Sequence, residues 1–79
     1  MYERLAQLAI NDEGFIFDPL TGQSFTVNQT GIALLGGMKR GEDELQLAAR
    51  LHQTFDVEEA EARSDVRDFI EHLRSLKLV

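Results

Sequence analysis

The chain has no cysteine and no tryptophan, and it carries only one proline, one tyrosine and two histidines in 79 residues. Without thiols there is no disulfide framework, no thiolate metal site and no cysteine nucleophile, so a fold this small must hold by packing alone, as suits a reducing cytoplasm. Long apolar runs are missing as well. The opening MYERLAQLAINDE breaks its apolar residues with charge every few positions, which leaves no signal-peptide core. No stretch approaches the roughly 20 apolar residues of a membrane span. Cations are scarce: 8 Lys and Arg stand against 14 Asp and Glu, for a net charge of -6. Such a chain repels the phosphate backbone whose neutralisation supplies most non-specific nucleic-acid affinity, and it attracts basic peptide or protein surfaces by salt-sensitive steering. These absences point to a cytoplasmic protein with neither a nucleic-acid nor a membrane partner.

What is present fits one ordinary globular domain over residues 1–79, with 43% hydrophobic and 28% charged residues. A chain of this length buries only about 60% of the surface its unfolded form exposes, enough for a single modest core. Leu5 to Ile10 is rich in apolar residues and reads as a first strand, closed by the turn cluster Asn11-Asp12-Glu13-Gly14. Gly14 to Phe17 reads as a second strand. Asp18-Pro19-Leu20-Thr21-Gly22 supplies a preset φ and a glycine for the return. Gln23 to Val27 alternates with period two as a third strand, and its Phe25 and Val27 are expected to face inward with Phe15 and Phe17.

Helices follow. Asn28 is a good N-cap for a helix carrying Ile32, Leu34, Leu35 and Met38, which Gly36-Gly37 weakens toward its end and Gly41 terminates. Glu42 to Phe55 places Leu45, Ala48, Leu51 and Phe55 at helical spacing. Asp56 stands three residues before Glu59 as a capping arrangement for a longer helix striped by Ala62, Val66, Phe69, Ile70, Leu73 and Leu76, with Leu78-Val79 tucked against the core. The expected architecture is α+β: a three-stranded antiparallel sheet followed by three helices, β-β-β-α-α-α.

The motifs that carry chemistry are thin. Gly31-x-x-x-x-Gly36-Gly37 imitates a phosphate loop, but Gly37 replaces the lysine, Met38 replaces the hydroxyl residue, and no strand-helix-strand frame surrounds it. Asn28-Gln29-Thr30 matches a glycosylation acceptor, yet capping explains it without secretion. His52 and His72 lie on different helices with no cysteine or histidine at ligand spacing. No nucleophile elbow surrounds any serine. The acidic run Glu58, Glu59, Glu61, Asp65 and Asp68 lacks the alternating oxygen ligands and the glycine of a calcium loop. The expectation is a non-catalytic protein without cofactor or metal. The positive feature is geometric: a small sheet has edges, and an open edge accepts an incoming extended peptide as a further strand.

From Gly14 to Val79 the order of motifs resembles the PqqD family of small peptide-binding proteins. The resemblance is carried by Phe17-Asp18-Pro19-x-Thr21-Gly22, by Val27-Asn28-x-Thr30-Gly31 with Ile32 and Leu35, by Phe55-Asp56-Val57, and by Asp65-Val66-x-x-Phe69-Ile70-x-x-Leu73 closed by Leu76-x-Leu78-Val79. It implies a winged-helix-like fold and the role of a peptide chaperone, or recognition element, in which a precursor or leader peptide adds to the third strand and lies against the third helix. Carried over, Gln23, Ser24, Phe25, Thr26 and Val27 form the receiving strand, and Arg63, Arg67, Ile70 and Arg74 are the candidate contacts on the last helix. Periodicity suits Ile70 equally to groove and core. Asp65 matches an aspartate characteristic of the family, for which a structural hydrogen bond within the helix packing is expected. The hairpin loop and the Gly36 to Arg40 segment look closer to a subgroup found beside a protein related to HPr kinase than to quinone-pathway members. The implied partner is a modifying enzyme, either a radical SAM enzyme or an HPr-kinase-related protein, and the protein itself is expected as a monomer or weak homodimer. Two alternatives stand beside this reading: a winged-helix nucleic-acid binder, and an adaptor that binds a kinase-like protein directly.

Overall fold

A computed structural model describes residues 2–79. After a 3-10 segment, Glu3–Gln7, come the strands β1 (Ala9–Ile10), β2 (Phe15–Asp18) and β3 (Gln23–Thr26) and the helices α1 (Gln29–Lys39), α2 (Glu44–Phe55) and α3 (Glu59–Ser75). The sheet is antiparallel in the order β1-β2-β3, so the expected β-β-β-α-α-α arrangement is the observed one.

The first strand is shorter than its apolar content suggests. Leu5 and Leu8, three positions apart, both enter the core through a helical turn, and only Ala9 and Ile10 pair with β2. Asn11 then makes the turn. Its Oδ1 accepts the amides of Glu13 and Phe15, each at 3.0 Å, and Gly14 takes φ 95° with a Cβ position only 2.2 Å from the Val27 carbonyl oxygen. Only glycine fits there.

The β2–β3 hairpin is organised by Asp18, which is 1% exposed. Its Oδ1 accepts the Leu20 amide at 3.0 Å, its Oδ2 accepts the Thr21 hydroxyl at 3.1 Å, and its carbonyl accepts the Gly22 amide at 2.8 Å. Arg4 neutralises it from outside the hairpin. Burial of Asp18 sets the parity of β2, so Ile16 goes inward with it and Phe15 and Phe17 face out, at 55% and 45% exposure. This corrects the inward assignment of both phenylalanines. Three consecutive apolar residues give no alternation to read, whereas pairing of Ile16 with Phe25 places those two side chains on the inner face.

The first two helices are each started by a side-chain cap. Asn28 Oδ1 accepts the Gly31 amide at 2.9 Å to start α1, and Asp43 and Gln46 exchange hydrogen bonds of 2.8 and 2.9 Å as a capping box that starts α2 after Glu42. Asp56 does not cap α3: it adopts φ 55° as the residue just past α2, and Glu58 stands at the start of α3. Asp tolerates the left-handed region where a chain must reverse between helices. The α2 stripe is likewise shifted from the expected one. Leu47, Ala48 and Leu51 are buried, while Leu45 is 72% exposed and Phe55 lies at the rim. Both stripes have helical spacing, and packing against α1 and α3 selects between them.

Gly37 has a packing role. A Cβ there would lie 2.6 Å from Leu47 Cδ2 and 2.5 Å from Glu42 Oε1, so the glycine lets α2 approach α1. At the far end Leu78 N–H bonds to the Leu73 carbonyl at 2.9 Å and Lys77 N–H to the Arg74 carbonyl at 3.0 Å, with Lys77 at φ 60°. This is the paired six-to-one and five-to-two closure of a Schellman motif, and it folds Leu78 into the core as expected. The core gathers Leu5, Ile16, Leu34, Leu35, Leu47, Leu51 and Leu73 from every layer. Each contributes roughly 1.5–3 kcal/mol over leaving it exposed.

Candidate functional site

β3 pairs with β2 along one edge only. The Val27 amide donates to the Gly14 carbonyl at 2.9 Å, so the antiparallel alternation turns the backbone groups of Phe25 and Val27 toward β2. Those of Ser24 and Thr26 then point to the open edge. Gln23, Ser24 and Thr26 are exposed, and Phe25 and Val27 are half-buried against the core. Within Gln23 to Val27, Ser24 and Thr26 therefore present their backbone donors and acceptors at the open edge of a strand whose other side is anchored.

Beyond the end of β3 lies a cavity of about 430 Å³ between the start of α1 and the middle of α3. Gly31, Leu34 and Phe69 form its apolar part. Asn28 and Thr30 line it from α1's first turn, and Asp65, Asp68 and His72 from α3. Gly31 brings the elements together: a Cβ there would stand 2.8 Å from Val27 Cβ and 3.3 Å from Phe69 Cε1. The end of β3, the start of α1 and α3 meet at that glycine.

The helix residues assigned from the sequence fall elsewhere. On α3 the buried stripe Ala62, Val66, Ile70 and Leu73 has two flanks. Arg63 and Arg67 lie on one, where they enclose a smaller depression with Glu44 and Leu45 of α2. Arg74, on the same flank, pairs with Glu71. Ile70 itself is 3% exposed and belongs to the core. Asp65, Asp68, Phe69 and His72 occupy the opposite flank, facing the start of α1. Asp65 is exposed at the cavity wall, not enclosed in helix packing as expected. A helical repeat identifies the buried stripe but treats its two flanks alike. Phe69, an aromatic residue at the margin of the stripe with carboxylates one residue and one turn before it, marks the flank that lines the cavity.

Among the described residues no group of three or more His, Cys, Asp or Glu side chains is arranged to hold a metal ion. No helix among them is long and apolar enough to cross a membrane. The site offers backbone hydrogen bonds, an apolar cavity and carboxylates.

Residues 13–79 match the family described as coenzyme PQQ synthesis protein D (PqqD). Among solved structures, the chain is similar to one described as lasso peptide synthetase B1 complexed with the leader peptide, with a TM-score of 0.75 and 22% identity over 86% of this chain and 81% of that one. At that identity the likeness is one of fold. No curated protein matches the chain.

Proposed function

The chain belongs to the PqqD family, and from that premise we propose that it is a non-catalytic peptide chaperone, a recognition element that captures a precursor or leader peptide by strand addition and presents it to a modifying enzyme. The observation that carries the proposal is the open edge of β3 with the cavity at its end. Ser24 and Thr26 supply the backbone donors and acceptors for the incoming strand, and the α1–α3 cavity takes its side chains. The similar structure is described as complexed with a leader peptide, which is the class of ligand proposed here.

The receiving strand is Gln23 to Val27. On α3 the contacts are assigned to the flank of Asp65, Asp68, Phe69 and His72, because that flank lines the cavity with the start of α1, where Gly31 lies close to both Phe69 and Val27, the residue that follows β3. The modifying enzyme is a radical SAM enzyme or an HPr-kinase-related protein, and the chaperone acts as a monomer or weak homodimer in the cytoplasm. A nucleic-acid role is disfavoured by the hairpin tip Pro19–Gly22, which has no Lys or Arg, and by the acidic wall of the cavity.

The test is an amide-shift titration of the labelled protein with the precursor peptide encoded beside it. The largest shifts are expected over residues 23–27 and around Gly31 and Phe69. A bound peptide that leaves residues 23–27 unmoved overturns strand addition.

A second reading, an adaptor that docks directly on a kinase-like protein, draws on Phe15 and Phe17, which stand exposed on the outer face of the sheet beside a cavity shared with Ala9, Ile10 and Ser24. Binding of that protein in the absence of peptide, abolished by Phe15→Ser with Phe17→Ser, favours it.

A further inference from the structure

We infer that the captured peptide is recognised through an apolar residue and a basic residue spaced two positions apart, the apolar one seated on Phe69 and Leu34 and the basic one facing Asp65 and Asp68. The inference rests on the strand-addition reading and deepens it by naming the class of peptide.

The argument starts from the spacing of an added strand. Successive side chains point to opposite faces, so the side chains that meet the α3 side of the site are every second one, about 6.8 Å apart. On α3 the corresponding landmarks are Phe69 and Asp65, four residues or about 6 Å apart along the axis. One inward side chain on the apolar patch therefore brings the next inward side chain level with Asp65. Asp68 borders the same cavity beside Phe69. A side chain that reaches past the patch meets carboxylate on this wall.

The charge of the wall decides which side chain is tolerated. Both aspartates are exposed, and among the described residues neither forms an ion pair with a Lys, Arg or His. The arginines of α3 sit across the helix: Arg63 and Arg67 are beside Glu44, and Arg74 is bonded to Glu71. No Lys or Arg lines the cavity. An acidic peptide residue there would face two carboxylates without a compensating cation, whereas a Lys or Arg would find two. The apolar part selects in the same way, since the half-buried Phe69 ring, backed by the buried Gly31 and Leu34, offers only carbon to whatever enters. The net charge of -6 adds a general attraction for basic peptides, but that attraction is not local to one position.

The experiment is selection from a phage-displayed library of random peptides long enough to pair along Gln23–Val27, at low ionic strength, on the whole chain. It is followed by amide-shift mapping of one enriched synthetic peptide. Enriched sequences are expected to share an apolar-x-Lys/Arg spacing. The Asp65→Asn/Asp68→Asn double variant is expected to bind the enriched peptide roughly three- to tenfold more weakly, as for two partly solvated ion pairs. A Glu44→Gln/Glu71→Gln variant changes net charge equally but lies off the cavity, and is expected to show only the smaller loss that comes from general steering. Equal losses in the two double variants would reduce the effect to general steering and overturn the inference. Enriched peptides that shift residues 23–27 without any basic preference also overturn it, while leaving strand addition standing. Peptides that shift nothing in residues 23–27, or a selection without enrichment, overturn strand addition and the inference with it.

Discussion

Arg4 and Asp18, fourteen residues apart, meet in a two-point ion pair: Arg4 Nη2 lies 2.6 Å from Oδ2 and Nη1 3.4 Å from Oδ1. The pair joins the N-terminal 3-10 segment to the hairpin that carries β3. It thus connects the stability of the N-terminus to the geometry of the candidate receiving strand, although neither residue lies at the site.

The pair makes the fold sensitive to acid. The hydrogen bond from Arg4 holds the Asp18 carboxyl below the ordinary aspartate value, helped by the Leu20 amide and the Thr21 hydroxyl and opposed by burial. A folded-state value below the unfolded one means that the stabilisation is complete above about pH 4 and is lost as pH falls through the folded value. Thermal unfolding followed between neutral pH and pH ~2 should show a falling midpoint below pH ~4. Asp18→Asn should unfold at a lower temperature at neutral pH and lose less on acidification. Some acid dependence should persist in that variant, because Arg50, in hydrogen bond with Glu42, holds that carboxyl low in the same sense. An Asp18→Asn protein with the wild-type midpoint at neutral pH would contradict this account.

Asp18 also shows why the helices and the order of elements were legible in the sequence while the faces of the sheet were not. Asn28, Gly41 and the Ala62 to Leu73 stripe announce themselves locally, by capping chemistry and by period, and each stands where expected. The parity of β2 depends on a buried carboxylate whose counter-ion is fourteen residues away. With Phe15, Ile16 and Phe17 all apolar, local pattern favoured the wrong pair. The same limit applies to α3. Its buried stripe was readable, but which flank meets the start of α1 is decided by the close approach of Gly31 to Phe69, a tertiary fact. The edge position of β3 was legible because it follows from strand order alone.

Lys77 occupies the left-handed position after α3 at φ 60°, where a β-carbon is unfavourable. Lys77→Gly should therefore stabilise the protein by about 1 kcal/mol, since the two closing hydrogen bonds use only backbone atoms. Urea unfolding is the measurement. A neutral or destabilising result would mean that glycine's extra freedom in the unfolded chain outweighs the relief.

Gly37 gives the opposite expectation. Gly37→Ala improves helix propensity by about 0.8–1 kcal/mol, yet its methyl would lie 2.6 Å from Leu47 Cδ2 and 2.5 Å from Glu42 Oε1. Overpacking of this kind costs about 1–3 kcal/mol, so the net change should be destabilising. Gly36→Ala serves as the comparison, because the nearest atom to its added carbon is the flexible end of Arg40 at 3.5 Å. The two neighbouring substitutions should differ in sign in the same urea titration.

The edge strand permits a sharper comparison, because adjacent residues face opposite ways. Thr26→Pro removes an amide that points to the open edge and leaves the bonds to β2 in place, whereas Phe25→Pro removes an amide directed at β2 together with a half-buried ring. Phe25→Pro should lower stability by roughly 3 kcal/mol, from lost packing and one ladder hydrogen bond. Thr26→Pro should melt close to the wild type and still bind the precursor peptide at least about tenfold more weakly, since the ring both deletes a donor and occupies the line of the incoming strand. Circular dichroism melts and peptide titrations of the two variants separate fold from capture. If Thr26→Pro binds the peptide as tightly as the wild type, the peptide does not lie on this edge. The search for its seat would then move to the outer sheet face around Phe15 and Phe17, where the cavity is lined by the same hairpin.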